Sequence, residues 1–274
     1  MRFTRWFGPV VLITLVAAGC GGNGKGSPAA PLSGLSADRI VDLTHPFDES
    51  TIYWPTDTEG FRLEEGTAGM TEKGYFYAAN RLSLAEHGGT HIDAPYHFFE
   101  TGKTVDELSV DRLIGAGIVV DVRDRCRDDV DYRVLVEDLK SWESEHGRIP
   151  EDAIVFLLTG HGAFWPDRVR YMATEDLGPE AVAKLHFPGL HPDAATWLTT
   201  ERSIAAVGLD TPSIDYGQST LFESHQVLFA EEIPAFENLA NLDQLPETGF
   251  IVIALPMKIA GGSGGPLRIV AIVP

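Results

Sequence analysis

The chain has 274 residues, 40 acidic against 21 basic, and a formal net charge of -19, so it repels nucleic-acid phosphates and anionic membrane surfaces; neither is an expected partner. Only two cysteines are present, Cys20 and Cys126, so if Cys20 is acylated no intrachain disulfide is available and the fold must stand on its core. About 240 residues lie beyond the N-terminal region, enough for one large single-core domain.

Residues 1–19 read as a secretion signal: Arg2 and Arg5 give a cationic start, Val10 to Ala18 is apolar but too short to span a bilayer comfortably, and small residues precede Cys20. Ala17-Ala18-Gly19-Cys20 resembles a bacterial lipoprotein processing site, which makes Cys20 a lipidation candidate and the chain an expected exported, envelope-tethered protein whose only membrane contact is the anchor. Residues 20–36, rich in Gly, Ser, Ala and Pro, read as a flexible tether ahead of a domain over 37–274.

Alternation and β-branched content predict strands at Ile40 to Leu43, Tyr75 to Leu84, Ile118 to Val122, Ala153 to Leu158, Ile204 to Leu209, Phe250 to Leu255 and Leu267 to Ile272. Helices are expected at Val134 to His146, stopped by Gly147, at Ala194 to Glu201 behind an Asp193 cap, and at Ser219 to Glu231. Strands and helices alternate in the middle and two strands close the chain, which predicts a single α/β domain with a mixed sheet. The glycines over 261–265 precede Pro266 and an apolar strand, not a helix, so they read as a turn between strands and not a phosphate cradle.

The chemistry concentrates in His87-Gly-Gly-Thr-His91-Ile-Asp93-Ala-Pro-Tyr-His97. Imidazole nitrogen and carboxylate oxygen suit zinc first and manganese second, and few protein ligands per ion leave a position open for water. Gly88 and Gly89 let the chain fold back and aim His87 and His91 at one point, while a glycine pair disfavours the helix that a His-x-x-x-His protease needs. Among the other histidines, His146 reads as a helix-end residue, His186 and His191 as loop residues, His45 as a hydrogen-bonded turn residue, and His161 as a residue lining a pocket or meeting solvent. Taken alone, His225 and Glu237 read as polar helix-face residues.

The His87–His97 motif resembles the signature of the cyclase superfamily, which includes bacterial kynurenine formamidases and isatin hydrolases. Asp42-Leu-Thr-His-Pro-Phe with Tyr53-Trp-Pro, Gly208-Leu-Asp-Thr-Pro-Ser-Ile-Asp215, the His225 and Glu237 pair, and Lys258-Ile-Ala-Gly-Gly-Ser-Gly-Gly-Pro-Leu-Arg extend the resemblance over nearly all of the mature chain. It implies a swivelling β/β/α-type domain, commonly a homodimer, holding one or two divalent ions. It also implies metal ligands at His87, His91, Asp93, His225 and Glu237, with the two carboxylates as bridges, and a general acid-base at His97.

Tyr53, Trp54, Phe98 and Trp165 are candidates for a slot that takes a planar aryl substrate, the Trp54 and Trp165 loops being Pro-flanked and expected to be exposed. The expected activity is metal-dependent amide hydrolysis of the arylformamidase type, N-formyl-L-kynurenine to kynurenine and formate. Opening of a cyclic amide or lactone such as isatin is the alternative, and a metal- or solute-binding lipoprotein is the reading from another class.

Overall fold

A computed structural model describes residues 36–274; the expected signal over 1–19, the Cys20 lipidation site and the tether up to residue 35 lie outside the described residues. Along the chain come β1 (Ile40–Asp42), β2 (Arg62–Met70), β3 (Phe76–Ser83), β4 (His91–Asp93), β5 (Ile114–Asp121), β6 (Arg133–Val134), β7 (Ile154–Leu158), β8 (Gly189–Leu190), β9 (Ala206–Leu209), β10 (Ala235–Glu237), β11 (Phe250–Pro256) and β12 (Gly264–Ile272). The α-helices are α1 (Arg123–Asp128), α2 (Val136–His146), α3 (Arg168–Met172), α4 (Pro179–Val182), α5 (Pro192–Trp197) and α6 (Glu223–Ala230).

Eight strands form one sheet in the order β1-β12-β11-β5-β7-β9-β10-β4, and β12 also pairs with β4, so the sheet closes into a barrel-like wall. The run β5-β7-β9-β10 is parallel and the remaining pairings are antiparallel, a mixed sheet as the alternation of elements predicts. β7 shows why the middle must be parallel: all five of its residues are buried, because the sheet is covered on both faces there. Ile154, Phe156 and Leu158 point into the barrel interior with Phe236, Phe250 and Ile269. Val155 and Leu157 point the other way, under Leu139 and Trp142 of α2, Ala194 and Ala195 of α5, and Leu228 and Phe229 of α6. Burying side chains of this size stabilises by about 1.5–3 kcal/mol each, so the two cores hold the domain without a disulfide.

Differences from the predicted elements have local causes. β5 starts at Ile114 and not Ile118, since Gly115 and Gly117 interrupt the apolar alternation without interrupting the ladder to β11. The helix expected from Ala194 to Glu201 is α5 running into a π-turn over Leu198–Arg202, and its cap is His191, whose Nδ1 accepts the Asp193 N–H at 3.1 Å; Asp193 is inside the helix. β2 was not expected, because Glu64, Glu65, Gly66 and Thr67 carry no apolar period. It pairs only with β3, with a bulge between Glu64 and Thr67, and the ribbon leaves Leu63, Met70, Phe76 and Leu82 exposed. No helix among the described residues is long and apolar enough to cross a membrane.

Candidate metal centre

β4 and β10 build the centre through strand periodicity. In each three-residue strand the middle side chain, Ile92 or Phe236, enters the barrel core, so His91 and Asp93 on β4 and Glu237 on β10 share the opposite face. The antiparallel register sets Glu237 directly across from His91. All three are almost completely buried. On the other side of β4, Gly264 of β12 pairs with Asp93. A Cβ on Gly264 would lie 2.6 Å from His87 Cε1 and 2.4 Å from the Ile92 carbonyl oxygen, so only glycine leaves room there for the His87 ring. The glycine run is thus only partly the expected turn, since its last two residues are strand.

His225 arrives from the first turn of α6. Asp215 accepts the Ser224 and His225 backbone N–H groups at 3.1 and 3.2 Å, which pins the helix start and the side chain together. Its ring then reaches both carboxylates: Nε2 lies 3.2 Å from Glu237 Oε1 and 3.4 Å from Asp93 Oδ2. His91 Nε2 lies 3.1 Å from Asp93 Oδ1 and 3.5 Å from Glu237 Oε2. Asp93 and Glu237 therefore each face the same two imidazoles.

Proton bookkeeping shows that these residues fit a cation. His91 Nδ1 faces the Gly89 carbonyl at 2.9 Å and His225 Nδ1 faces Asp215 Oδ2 at 2.6 Å; both partners only accept, so Nδ1 carries the proton in each ring. His87 Nε2 meets Ser263 Oγ at 2.8 Å, whose own proton goes to Glu86 Oε2 at 2.6 Å, so Nε2 is the donor there. The remaining nitrogen of each neutral ring is a lone pair turned toward Asp93 or Glu237, with His87 Nδ1 only 2.6 Å from Asp93 Oδ1. Lone pairs facing carboxylates repel unless a positive charge lies between them, and His91 Nε2 is buried with no hydrogen-bond partner. His87, His91, Asp93, His225 and Glu237 are the residues that would hold such an ion.

Without an ion, protons take its place. Burial works to strip the proton from His91, but Asp93 and Glu237 outweigh it and carry the pKa up to about 9. His225 rises well above its ordinary value, burial again being overcome, here by Asp215, Asp93 and Glu237. Asp93 is held well below the usual carboxylate range against its own burial by His87 and His91, while burial and the nearby Asp93 push Glu237 up. His97 behaves differently: burial, with smaller contributions from the neighbouring imidazoles, pushes it down to about 4 although Asp93 opposes. Its ring stacks on His87 with centroids 3.7 Å apart, beside the cluster, and among the described residues neither ring nitrogen makes a hydrogen bond.

The aromatic candidates divide. Phe98 lies on the centre, its ring 4.7 Å from that of His225 and 5.3 Å from Phe222. Trp54 reaches the same group through Phe222, at 6.1 Å. Tyr53 is buried and its ring occupies the space over Gly88, where a Cβ would meet it at 2.1 Å. Trp165 stacks on His45 at 4.4 Å and meets Tyr171 edge-on, so its ring contacts are with these and not with the metal-binding cluster. Trp54 and Trp165 are half-buried, not exposed as expected, because each packs into the small cluster around Tyr171 and Phe187. His161 does not join the centre; it is buried, its Nε2 meets the Tyr171 carbonyl at 2.7 Å, and it borders a cavity apart from the cluster. His146 pairs with Glu247 and His186 with Asp131.

Sequence reasoning gave no role to Ser263, Glu86, Asp215 or Asn238. Asn238 donates to the Gly89 carbonyl at 2.8 Å and accepts from Tyr171, fixing the glycine turn that orients His91. Asp215 was visible within the Asp-Thr-Pro-Ser-Ile-Asp run, and an acidic residue ten positions ahead of His225 was the available signal. A cavity of about 1060 Å³ lined by Arg123, Cys126, Trp142 and His146 includes neither His97 nor any of the five candidate ligands.

A closed mixed sheet carrying a buried histidine–carboxylate cluster on two adjacent strands and a helix start defines an α/β domain built to hold divalent metal. The Cyclase family model matches residues 41–216, and the chain belongs to that family. It is 35% identical over 269 residues to isatin hydrolase of Roseibium aggregatum, covering 90% of this chain and 99% of that protein. It is 28% identical over 243 residues to kynurenine formamidase of Bacillus cereus, covering 86% and 98%. Among solved structures, an isatin hydrolase bound to the product analogue thioisatinate superposes with a TM-score of 0.79 at 31% identity, over 90% of this chain and 99% of that one.

Proposed function

We propose that the protein is a metal-dependent hydrolase that cleaves the carbon–nitrogen bond of a small aryl amide, with ring opening of an isatin-like cyclic amide as the first reading. The observation that carries it is the set of three imidazole lone pairs and two carboxylates converging in a buried space with no donor between them. The greater similarity to isatin hydrolase favours ring opening over deformylation of N-formyl-L-kynurenine, the activity the sequence motif first suggested. Formamidase relatives at 28% identity keep that second reading in view.

A divalent cation in this centre supplies Lewis acidity to a carbonyl oxygen and lowers the pKa of water toward neutrality. The chain's own part falls to His97 and the aromatic wall. Because burial holds its pKa at about 4, His97 is neutral at physiological pH and has a ring nitrogen free to take a proton from the attacking water. Water adds to the carbonyl carbon, the carbon–nitrogen bond breaks, and His97 returns its proton to the departing nitrogen. Phe98 and Phe222, flanking His225, present ring faces and edges against which a planar aryl group can lie.

A panel of isatin, N-formyl-L-kynurenine and formanilide, each assayed before and after chelation and after return of zinc or manganese, tests the reading. Chelator-sensitive turnover of isatin above the others is the expected result. Hydrolysis that survives full metal removal overturns it, and tight metal binding with no hydrolysis favours a binding protein.

A further inference from the structure

Phe222 breaks two local rules at one position beside the metal centre. As the residue that precedes α6 it would ordinarily be extended and carry a side-chain oxygen to cap the helix. Its backbone is left-handed, at φ 52° and ψ 47°, and its side chain makes no capping bond. Seven described non-glycine residues have positive φ, and while Asp152, Ala173, Ser203, Glu232, Asn238 and Asn241 are small or polar, Phe222 is the one aromatic. A bulky side chain is strained in this region, and such strain persists only where the surroundings impose it.

Here they do impose it. Ser219 Oγ accepts the Phe222 N–H at 3.1 Å, the Phe222 carbonyl accepts the Gln226 N–H at 3.1 Å, and the Leu221 carbonyl accepts from the Gln226 side chain. The capping that Phe222 cannot perform falls to Asp215, which accepts the second and third N–H groups of the helix, those of Ser224 and His225. Position 222 is thereby released from the usual task of a cap and can hold a ring.

Core packing does not account for that ring. None of the three hydrophobic clusters among the described residues includes Phe222, which is half-buried, and the adjacent Leu221 is exposed. The ring lies 5.3 Å from that of Phe98, which packs on the core under α6, and 6.1 Å from Trp54, which packs on the Tyr171–Phe187 cluster. It meets the His225 ring edge-on at 6.0 Å. Phe222 therefore joins two core edges directly beside a metal-binding imidazole.

We propose that Phe222 is a specificity-determining residue: its strained backbone aims the ring so that the site prefers an aromatic amide to a saturated one of the same size. This rests on the amide-hydrolase reading and names what that site selects. Aromatic pairs gain more than their buried area alone supplies, so a ring in the wall distinguishes the two. The ligand cluster and His97 act on the amide, and Phe222 contacts the ring that carries it.

The experiment compares wild type with Phe222→Leu, Phe222→Tyr and Phe222→Gly in the metal-loaded protein. Isatin and formanilide are set against N-cyclohexylformamide, the saturated counterpart of formanilide, read as a substrate or as a competitor of isatin. Phe222→Leu keeps apolar bulk and loses the ring, so KM for the aryl amides should rise about three- to tenfold while N-cyclohexylformamide changes less than about twofold. Metal affinity and kcat should stay near wild type, because a wall binds ground and transition states alike. Phe222→Tyr keeps the ring and should restore the aryl KM. Phe222→Gly loses the ring but relieves the backbone, so it should lose the aryl preference and yet melt no lower than wild type.

Equal changes on aryl and cyclohexyl amides overturn the proposal. So do aryl losses carried by kcat together with weakened metal binding, or a Phe222→Gly variant that melts well below wild type, since each makes the ring structural. Calorimetric titration with isatin decides the case in which no amide is turned over. Binding that weakens in Phe222→Leu and survives in Phe222→Tyr leaves the wall standing and defeats the hydrolase reading, whereas binding that ignores Phe222, or is absent in wild type, overturns the wall.

Discussion

His225 Nδ1 lies 2.6 Å from Asp215 Oδ2, and the same carboxylate accepts the His225 backbone N–H, so one acidic residue fixes the helix start, the ring orientation and the tautomer of a residue that faces both buried carboxylates. Asp215→Asn keeps the shape but can offer an amide N–H where the ring needs an acceptor. Metal affinity is expected to fall about 10–100-fold, measured by competition with a chromophoric chelator. Unchanged affinity removes Asp215 from the centre. Asp215→Ala should also lower thermal stability, by about 1 kcal/mol, through loss of the cap.

Removal of the ion should be felt by the fold as well as by the chemistry. Asp93 and Glu237 lie together in the interior, and without a cation their charge is balanced only by protonated imidazoles. Ligand binding to the native state alone adds stability by mass action, about 2.7 kcal/mol at a hundredfold excess over Kd. Differential scanning calorimetry with and without chelator should show a clear drop in melting temperature that added zinc or manganese reverses. Coincident melts would show that the cluster holds no ion.

His97 stands beside the cluster without spanning it, and that distinction is measurable. His97→Ala is expected to bind metal with near wild-type stoichiometry while kcat falls about 10²–10⁴-fold, the range of a lost acid-base group. Because His87, Asp93 and His97 could themselves enclose an ion, loss of metal on substitution would instead make His97 a ligand.

Much of this was legible because the motif His87 to His97 packs its chemistry into one stretch, where three imidazoles, a carboxylate and a glycine pair point to a metal site. The fold class followed from the β-branched runs that became β5, β7, β9, β11 and β12. β4 and β10 were not legible: three residues give no period to detect, and their strand character is imposed by the ladders that close the sheet. Convergence of His225 and Glu237 on the motif is a long-range packing result. On the residues alone both read as helix-face polar groups, and only the family resemblance singled them out. Ser263 and Glu86 were invisible because their role is to place a proton on the far side of His87, a relation between segments 176 residues apart.

The glycine pair itself can be tested. Gly89 adopts a left-handed conformation at φ +57°, and Gly88 has the Tyr53 ring where a Cβ would go. Gly88→Ala must displace Tyr53 or the strand entry that carries His91, and overpacking of this kind costs about 1–3 kcal/mol. Denaturant unfolding should show that loss together with weakened metal binding. A variant that is stable and binds normally would mean the Tyr53 loop yields freely.

Stability toward acid should depend on His45, which stacks on Trp165 and is held by burial at a pKa of about 4, with Asp42 opposing. An unfolded histidine titrates near 6.5, so between about pH 6.5 and 4 the unfolded chain binds the extra proton and stability falls as pH drops. Above 6.5 the contribution is complete. The full shift corresponds to about 3 kcal/mol, and partial exposure of the ring reduces this to about 1–2 kcal/mol. His45→Phe keeps the stack and removes the titration, so its unfolding free energy should change less than that of wild type between pH 7.5 and pH 5. The remaining slope belongs in part to His97 and His161, both lowered chiefly by burial. Equal slopes in the two proteins would show that His45 takes up its proton without disturbing the fold.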